Sequence, residues 1–121
     1  MLSINVDRIG SDQVICRLAG ELDLSAVAQF RQALADLPAP SRVLIELSGV
    51  SFVDSAGLGA LIGGIRRTRD RGGNAAVVCH RPGLSRLLRT IGLDRLVTIS
   101  DDIPPAMGAL NEGTMGLPRA V

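Results

Sequence analysis

Residues 42–71 read RVLIELSGVSFVDSAGLGALIGGIRRTRDR. Between Arg42 and Leu47 only Glu46 interrupts the apolar Val43, Leu44, Ile45 and Leu47. A strand that apolar is buried on both faces and belongs in the middle of a sheet. Ser48 to Asp54 reads as a loop. From Ser55 to Arg71, Leu58, Leu61, Ile62 and Ile65 share one helical face. Arg66, Arg67, Arg69 and Arg71 crowd the end of that helix, where cations suit its dipole. Gly72-Gly73-Asn74 stops it.

The pattern continues in both directions. Upstream, Leu2, Ile4 and Val6 alternate, Gly10-Ser11-Asp12 marks a turn, and Val14, Cys16 and Leu18 resume the alternation, which predicts an antiparallel hairpin. Ser25 is placed to cap a helix carrying Val27, Phe30, Leu34 and Leu37, ended by Pro38 and Pro40. Downstream, Ala75 to Cys79 is a second continuous apolar strand. Pro82 opens a helix bearing Leu84, Leu87, Leu88 and Ile91, closed by Gly92. Leu96 to Ile99 is a short strand. Asp101 or Asp102 then caps a helix with Pro104 and Pro105 in its first turn, running to about Leu110. Alternating strands and helices predict one α/β domain over residues 1–111, with a mostly parallel mixed sheet, an antiparallel N-terminal hairpin and about four helices. Residues 112–121 read as a flexible tail.

Composition removes several classes of function. The chain has 121 residues, 46% hydrophobic, with a net charge of +1, two Phe, and no Trp or Tyr. It is long enough for one core, lacks the aromatic faces of single-strand nucleic-acid platforms, and has no global field to attract DNA or anionic lipid. All thirteen basic residues are Arg, so lysine chemistry is absent. The longest apolar run, Ala56 to Ile65, is too short to cross a bilayer and contains four glycines. No signal-peptide pattern opens the chain, and a soluble, cytoplasmic protein without direct membrane insertion is expected. Cys16 and Cys79 lie in apolar runs and read as buried free thiols.

The most informative segment is Val53-Asp54-Ser55-Ala56-Gly57-Leu58-Gly59. On the plain reading, Asp54 or Ser55 is an N-cap and the glycines allow close packing. On the functional one, Gly57 and Gly59 clear the surface around a hydroxyl at the positive end of a helix, where a phosphate is tolerated. Gly57-x-Gly59 with Gly63 and Gly64 is a poor dinucleotide fingerprint, because the third glycine falls one place late. A nucleophile elbow is missing its glycine two residues before Ser55. His80, the only histidine, reads as a surface loop residue, and no metal-ligand spacing appears. A second segment, Gly20-Glu21-Leu22-Asp23-Leu24-Ser25, offers Asp23 or Ser25 as another cap. Were the first and third strands neighbours, both helix starts would share an end of the molecule, and Asp23 and Ser55 one surface.

With Gly20-Glu21-Leu22-Asp23 after the second strand and Asp54-Ser55-Ala56-Gly57-Leu58-Gly59 after the third, the chain resembles the STAS domains, specifically the bacterial anti-sigma factor antagonists. The resemblance covers about residues 2–111. It implies a STAS-type fold and a binding module with no catalytic group, cofactor or metal of its own. The partner it implies is an anti-sigma factor that is also a GHKL-type serine kinase. Phosphorylation of Ser55 would break that complex and a PP2C-type phosphatase would reset it. The implied partner surface comprises Glu21, Asp23, Leu24, Ser25, Asp54, Ala56, Gly57 and Leu58, on a monomer or weak dimer. The alternative within the same resemblance is a non-phosphorylated adaptor subunit of a lipid-transport or stress-signalling complex.

Overall fold

A computed structural model describes residues 1–112. In chain order these form β1 (Leu2–Arg8), β2 (Gln13–Leu22), a short 3-10 turn (Leu24–Ala26), α1 (Val27–Ala35), β3 (Arg42–Val53) and α2 (Ser55–Asp70). They continue with β4 (Asn74–Val78), α3 (Pro82–Thr90), a second 3-10 turn (Leu93–Arg95), β5 (Thr98–Ser100) and α4 (Ile103–Glu112). The five strands lie in the order β1-β2-β3-β4-β5. The first pair is antiparallel, with Val6 opposite Cys16, and the rest are parallel. The α/β reading, the hairpin and the central place of β3 therefore all hold.

Alternation along β3 explains its apolar sequence. Val43, Ile45 and Leu47 join the larger core with Phe30 and Leu34 of α1, Leu61 and Ile65 of α2 and Leu88 of α3. Leu44 turns to the opposite face, where Ile15, Ala76 and Val78 are covered by Ala106 and Leu110 of α4. Both faces are dry, as a central parallel strand requires.

Three local expectations are corrected and one open condition is settled. The predicted loop Ser48–Asp54 is mostly strand: β3 continues to Val53 because β2 runs alongside it, pairing Ala19 with Gly49, Gly20 with Val50, Glu21 with Phe52 and Leu22 with Val53. The pairing register shifts twice there, and Gly49 packs so tightly on Ala19 and the Leu18 carbonyl that a β-carbon would sit 3.0 Å from each. The glycine that reads as a loop signal thus serves a close strand contact. Next, α1 begins at Val27, after a 3-10 turn whose N-cap is Asp23, so Ser25 is not the cap. The neighbour of β3 is the second strand, not the first, since β1 pairs with β2. Finally, Gly92, at φ 84°, opens the turn Leu93–Arg95, which delays β5 to Thr98–Ser100 rather than Leu96–Ile99. At the C-terminal end Glu112 belongs to α4, and the remainder of the expected tail, 113–121, lies outside the described residues.

Candidate functional site

Because β2 and β3 are parallel and end together at Leu22 and Val53, the residues that follow them meet at one end of the sheet. Asp54 joins them. Its Oδ1 accepts the Gly57 amide at 2.7 Å and caps α2, while its Oδ2 accepts the Leu24 amide at 3.1 Å. Its carbonyl oxygen takes the Leu58 amide at 2.9 Å as the first helical bond. One carboxylate therefore satisfies the start of α2 and fastens the turn after β2 beside it.

With Asp54 as the cap, Ser55 is left over. It is exposed in the first turn of α2, and no hydrogen bond engages its hydroxyl among the described residues. The oxygen stands where peptide N–H groups and the helix dipole favour negative charge. In the turn that Asp54 fastens, Asp23 accepts a hydrogen bond from the Ser25 hydroxyl at 2.6 Å. That bond, aided by the Ala26 and Ser25 amides, holds the Asp23 carboxyl below its ordinary pKa. Leu24 projects into solvent, 73% exposed, although its amide is fixed.

The other expected surface residues divide. Ala56 is partly exposed, and Leu58 packs against the core while partly exposed. Gly57 is buried beneath the surface: a β-carbon there would run into the Leu22 carbonyl oxygen. The reading that Gly57 clears the way for another molecule is thereby corrected, because it is close strand–helix packing that needs the glycine. Gly59 does face open space. Glu21 is engaged by the amino terminus of Met1 at 2.9 Å.

Phe52 escaped the sequence reading because it fell in the presumed loop. It is 52% exposed on β3, next to a groove of about 440 Å³ formed with Pro82, Leu84 and Leu87. Its signal was an aromatic residue in a Ser/Gly-rich stretch of a chain otherwise almost devoid of them.

His80 is exposed just past β4, where its amide donates to the Ser48 hydroxyl at 3.4 Å, and it lines a cleft that does not include Ser55. No cluster of three metal-ligating side chains occurs among the described residues. Cys16 and Cys79 are buried and free. Cys16 is level with Ile45 and Val77, and Cys79 lies two residues further on, so two strand spacings alone set them more than about 9 Å apart, too far for a disulfide. Burial raises the Cys16 thiol pKa to about 11, and raises that of Cys79 as well. Among the described residues no helix is long and apolar enough to cross a membrane.

The family model described as "Mlab, STAS domain" matches residues 5–98. The anti-sigma-B factor antagonist of Bacillus subtilis is 31% identical over 101 residues, which cover 82% of this chain and 93% of that protein. The crystal structure of an anti-sigma factor antagonist from Mycobacterium paratuberculosis aligns with a TM-score of 0.79 at 23% identity, covering 92% of this chain and 95% of that one. The Bacillus cell fate determinant SpoIIAA in its phosphorylated form aligns at 0.66 and 22% identity, over 88% of this chain and 97% of its own. These last two likenesses are of fold.

Proposed function

This chain belongs to the STAS family, and from that premise we propose that it is an anti-sigma factor antagonist switched by phosphate on Ser55. The unmodified protein docks onto an anti-sigma factor, a GHKL-type serine kinase, through the surface made by Asp23, Leu24, Ser25, Ser55, Ala56 and Leu58. Sigma factor is released as a result. The kinase transfers the γ-phosphoryl group of ATP to the Ser55 hydroxyl, whose proton is lost and whose other product is ADP; the complex dissociates, and a PP2C-type phosphatase hydrolyses the ester.

The observation that carries this reading is the division of labour at the start of α2. Asp54 does the capping, so the Ser55 hydroxyl is exposed and serves no bond within the described fold. Adding about −1.5 to −2 charges at that oxygen leaves the fold intact, since a helix N-terminus accepts an anion. In a desolvated interface beside the carboxylates of Asp23 and Asp54, the same charge is repulsive. A penalty of roughly 3–4 kcal/mol weakens binding a few hundredfold.

The test is intact-mass analysis of the protein recovered from its native cell, with and without PP2C-type phosphatase. A phosphate mapped to Ser55 and removed by the phosphatase supports the switch. Unmodified protein under every growth condition, co-purifying with transporter subunits, overturns it in favour of a constitutive adaptor.

A further inference from the structure

We infer that a second site, apart from Ser55, binds a small ligand through a phosphate dianion. It is a cleft of about 670 Å³ between α3 and the carboxyl ends of β4 and β5, with His80, Ser85, Arg86, Arg89, Thr90 and Asp101 on its walls. The loops that leave the carboxyl ends of the parallel strands β4 and β5 form one wall of it and α3 the other.

Three features fit a phosphate. Arg86 and Arg89, three residues apart, lie on neighbouring turns of α3 and line the same wall. Arg89 donates through Nη2 to the Ile99 carbonyl at 3.2 Å, which fixes its guanidinium at the cleft and leaves its other donors for a ligand. By contrast, no hydrogen bond or ion pair engages the side chains of Arg86, His80, Ser85 or Thr90 among the described residues, so four side chains with donor groups line the cleft without an internal acceptor. Asp101 is the one carboxylate among the lining residues, and the two guanidiniums outweigh it. The cleft also exceeds the size of a bare phosphate and has Pro82 and Cys79 on its lining, which leaves room for a small organic body attached to the phosphate.

The experiment is a backbone-amide NMR titration of the full chain with inorganic phosphate, with glycerol 3-phosphate, and with sodium chloride at matched ionic strength. Saturable shifts confined to amides around His80, Ser85, Arg86, Arg89 and Asp101, absent with chloride, are the expected result. Tighter binding of glycerol 3-phosphate assigns the occupant to an organic monoester, and equal binding assigns it to free phosphate. Arg86→Ala, at an exposed side chain with no internal partner, weakens binding about tenfold without moving the melting temperature, and Arg86→Lys restores part of it. Linear, unsaturable shifts, identical shifts with chloride, or an Arg86→Ala protein that binds as the parent does would each overturn the site. Ser55→Ala leaves these shifts unchanged, so the test is independent of the switch.

Discussion

The Asp54 carboxylate is shared between two helix starts: one oxygen holds the Gly57 amide at 2.7 Å and the other the Leu24 amide at 3.1 Å. Asp54→Ala therefore removes both an N-cap and a tether between segments thirty residues apart in sequence. The expected cost is about 1–2 kcal/mol in urea unfolding, at the upper end for a cap because two amides lose their acceptor. Asp54→Asn, which keeps acceptor oxygen on one side only, falls between. A variant as stable as the parent would mean that the bridge does not hold this corner.

Ser55→Ala is expected to bind the anti-sigma partner as the parent does and to take up no phosphate, because the hydroxyl has no bond to lose. Ser55→Glu carries a charge at the same place and is expected to bind at least tenfold more weakly, short of the effect of a full dianion. Asp23→Arg tests the neighbouring acid: weaker binding with little change in melting temperature is the outcome for a surface residue. Calorimetric titration against the partner measures all three. Equal affinities for the Ala and Glu variants would remove the charge switch.

Two glycines of the same helix turn are expected to respond in opposite directions. Gly57→Ala forces a β-carbon into the Leu22 carbonyl oxygen, so the helix start must move off β2. Overpacking of this kind costs about 1–3 kcal/mol and, against rigid backbone, reaches the upper end. Gly59→Ala meets nothing within 4 Å and gains helix propensity, a stabilisation of up to about 1 kcal/mol. Thermal melts of the two variants decide it. If Gly59→Ala keeps its stability but loses partner affinity, the open space at Gly59 belongs to the docking surface.

Much of this was legible in the chain because the signals were periodic. Val43 to Leu47 has the composition of a doubly buried strand, and the spacing of Leu58, Leu61, Ile62 and Ile65 is helical, so tertiary context agreed with local pattern. The misreadings fall where a long-range contact overrides local propensity. Ser48, Gly49 and Ser51 look like a loop, and only the parallel extension of β2 makes them strand. Gly57 and Gly59 are indistinguishable in sequence, yet the first lies under a carbonyl and the second under solvent. Of the candidate site, Asp54 and Ser55 were both visible as caps. The capping bond of Asp54 to Gly57 is local, whereas its second bond reaches Leu24, thirty residues away, and no spacing encodes that.

The Asp23–Ser25 bond predicts an acid-side effect. The bond from the Ser25 hydroxyl, with the amides of Ala26 and Ser25, lowers the Asp23 carboxyl pKa in the folded state. A group whose folded pKa is depressed stabilises the fold above its unfolded value, and that contribution disappears as pH falls through the folded one. Ser25→Ala removes the largest cause, so the Asp23 pKa rises toward 3.8, readable in carboxyl-carbon NMR shifts. The difference in stability between parent and variant should shrink below about pH 4, where Asp23 is protonated in the unfolded chain. An unchanged Asp23 titration in Ser25→Ala would show that the hydroxyl does not govern it.

Cys16 carries the opposite sign. Its thiol projects from β2 into the larger core, and desolvation raises its pKa to about 11 from an ordinary 9.0. The neutral thiol is therefore the form the fold prefers. Its contribution is complete below pH 9 and is lost as pH climbs toward 11, when the unfolded chain ionises first. Because thiolate is the reactive species, native protein at pH 8 is expected to react with a disulfide reagent only at the rate of unfolding, and Cys16→Ser should forfeit about 1–3 kcal/mol through a polar hydroxyl in an apolar site. Cys16→Ala leaves a cavity of one sulfur and loses less. Prompt labelling of Cys16 in the folded protein would show that the β1–β2 hairpin opens readily, and that the sheet edge, rather than its centre, sets the stability of this half of the core.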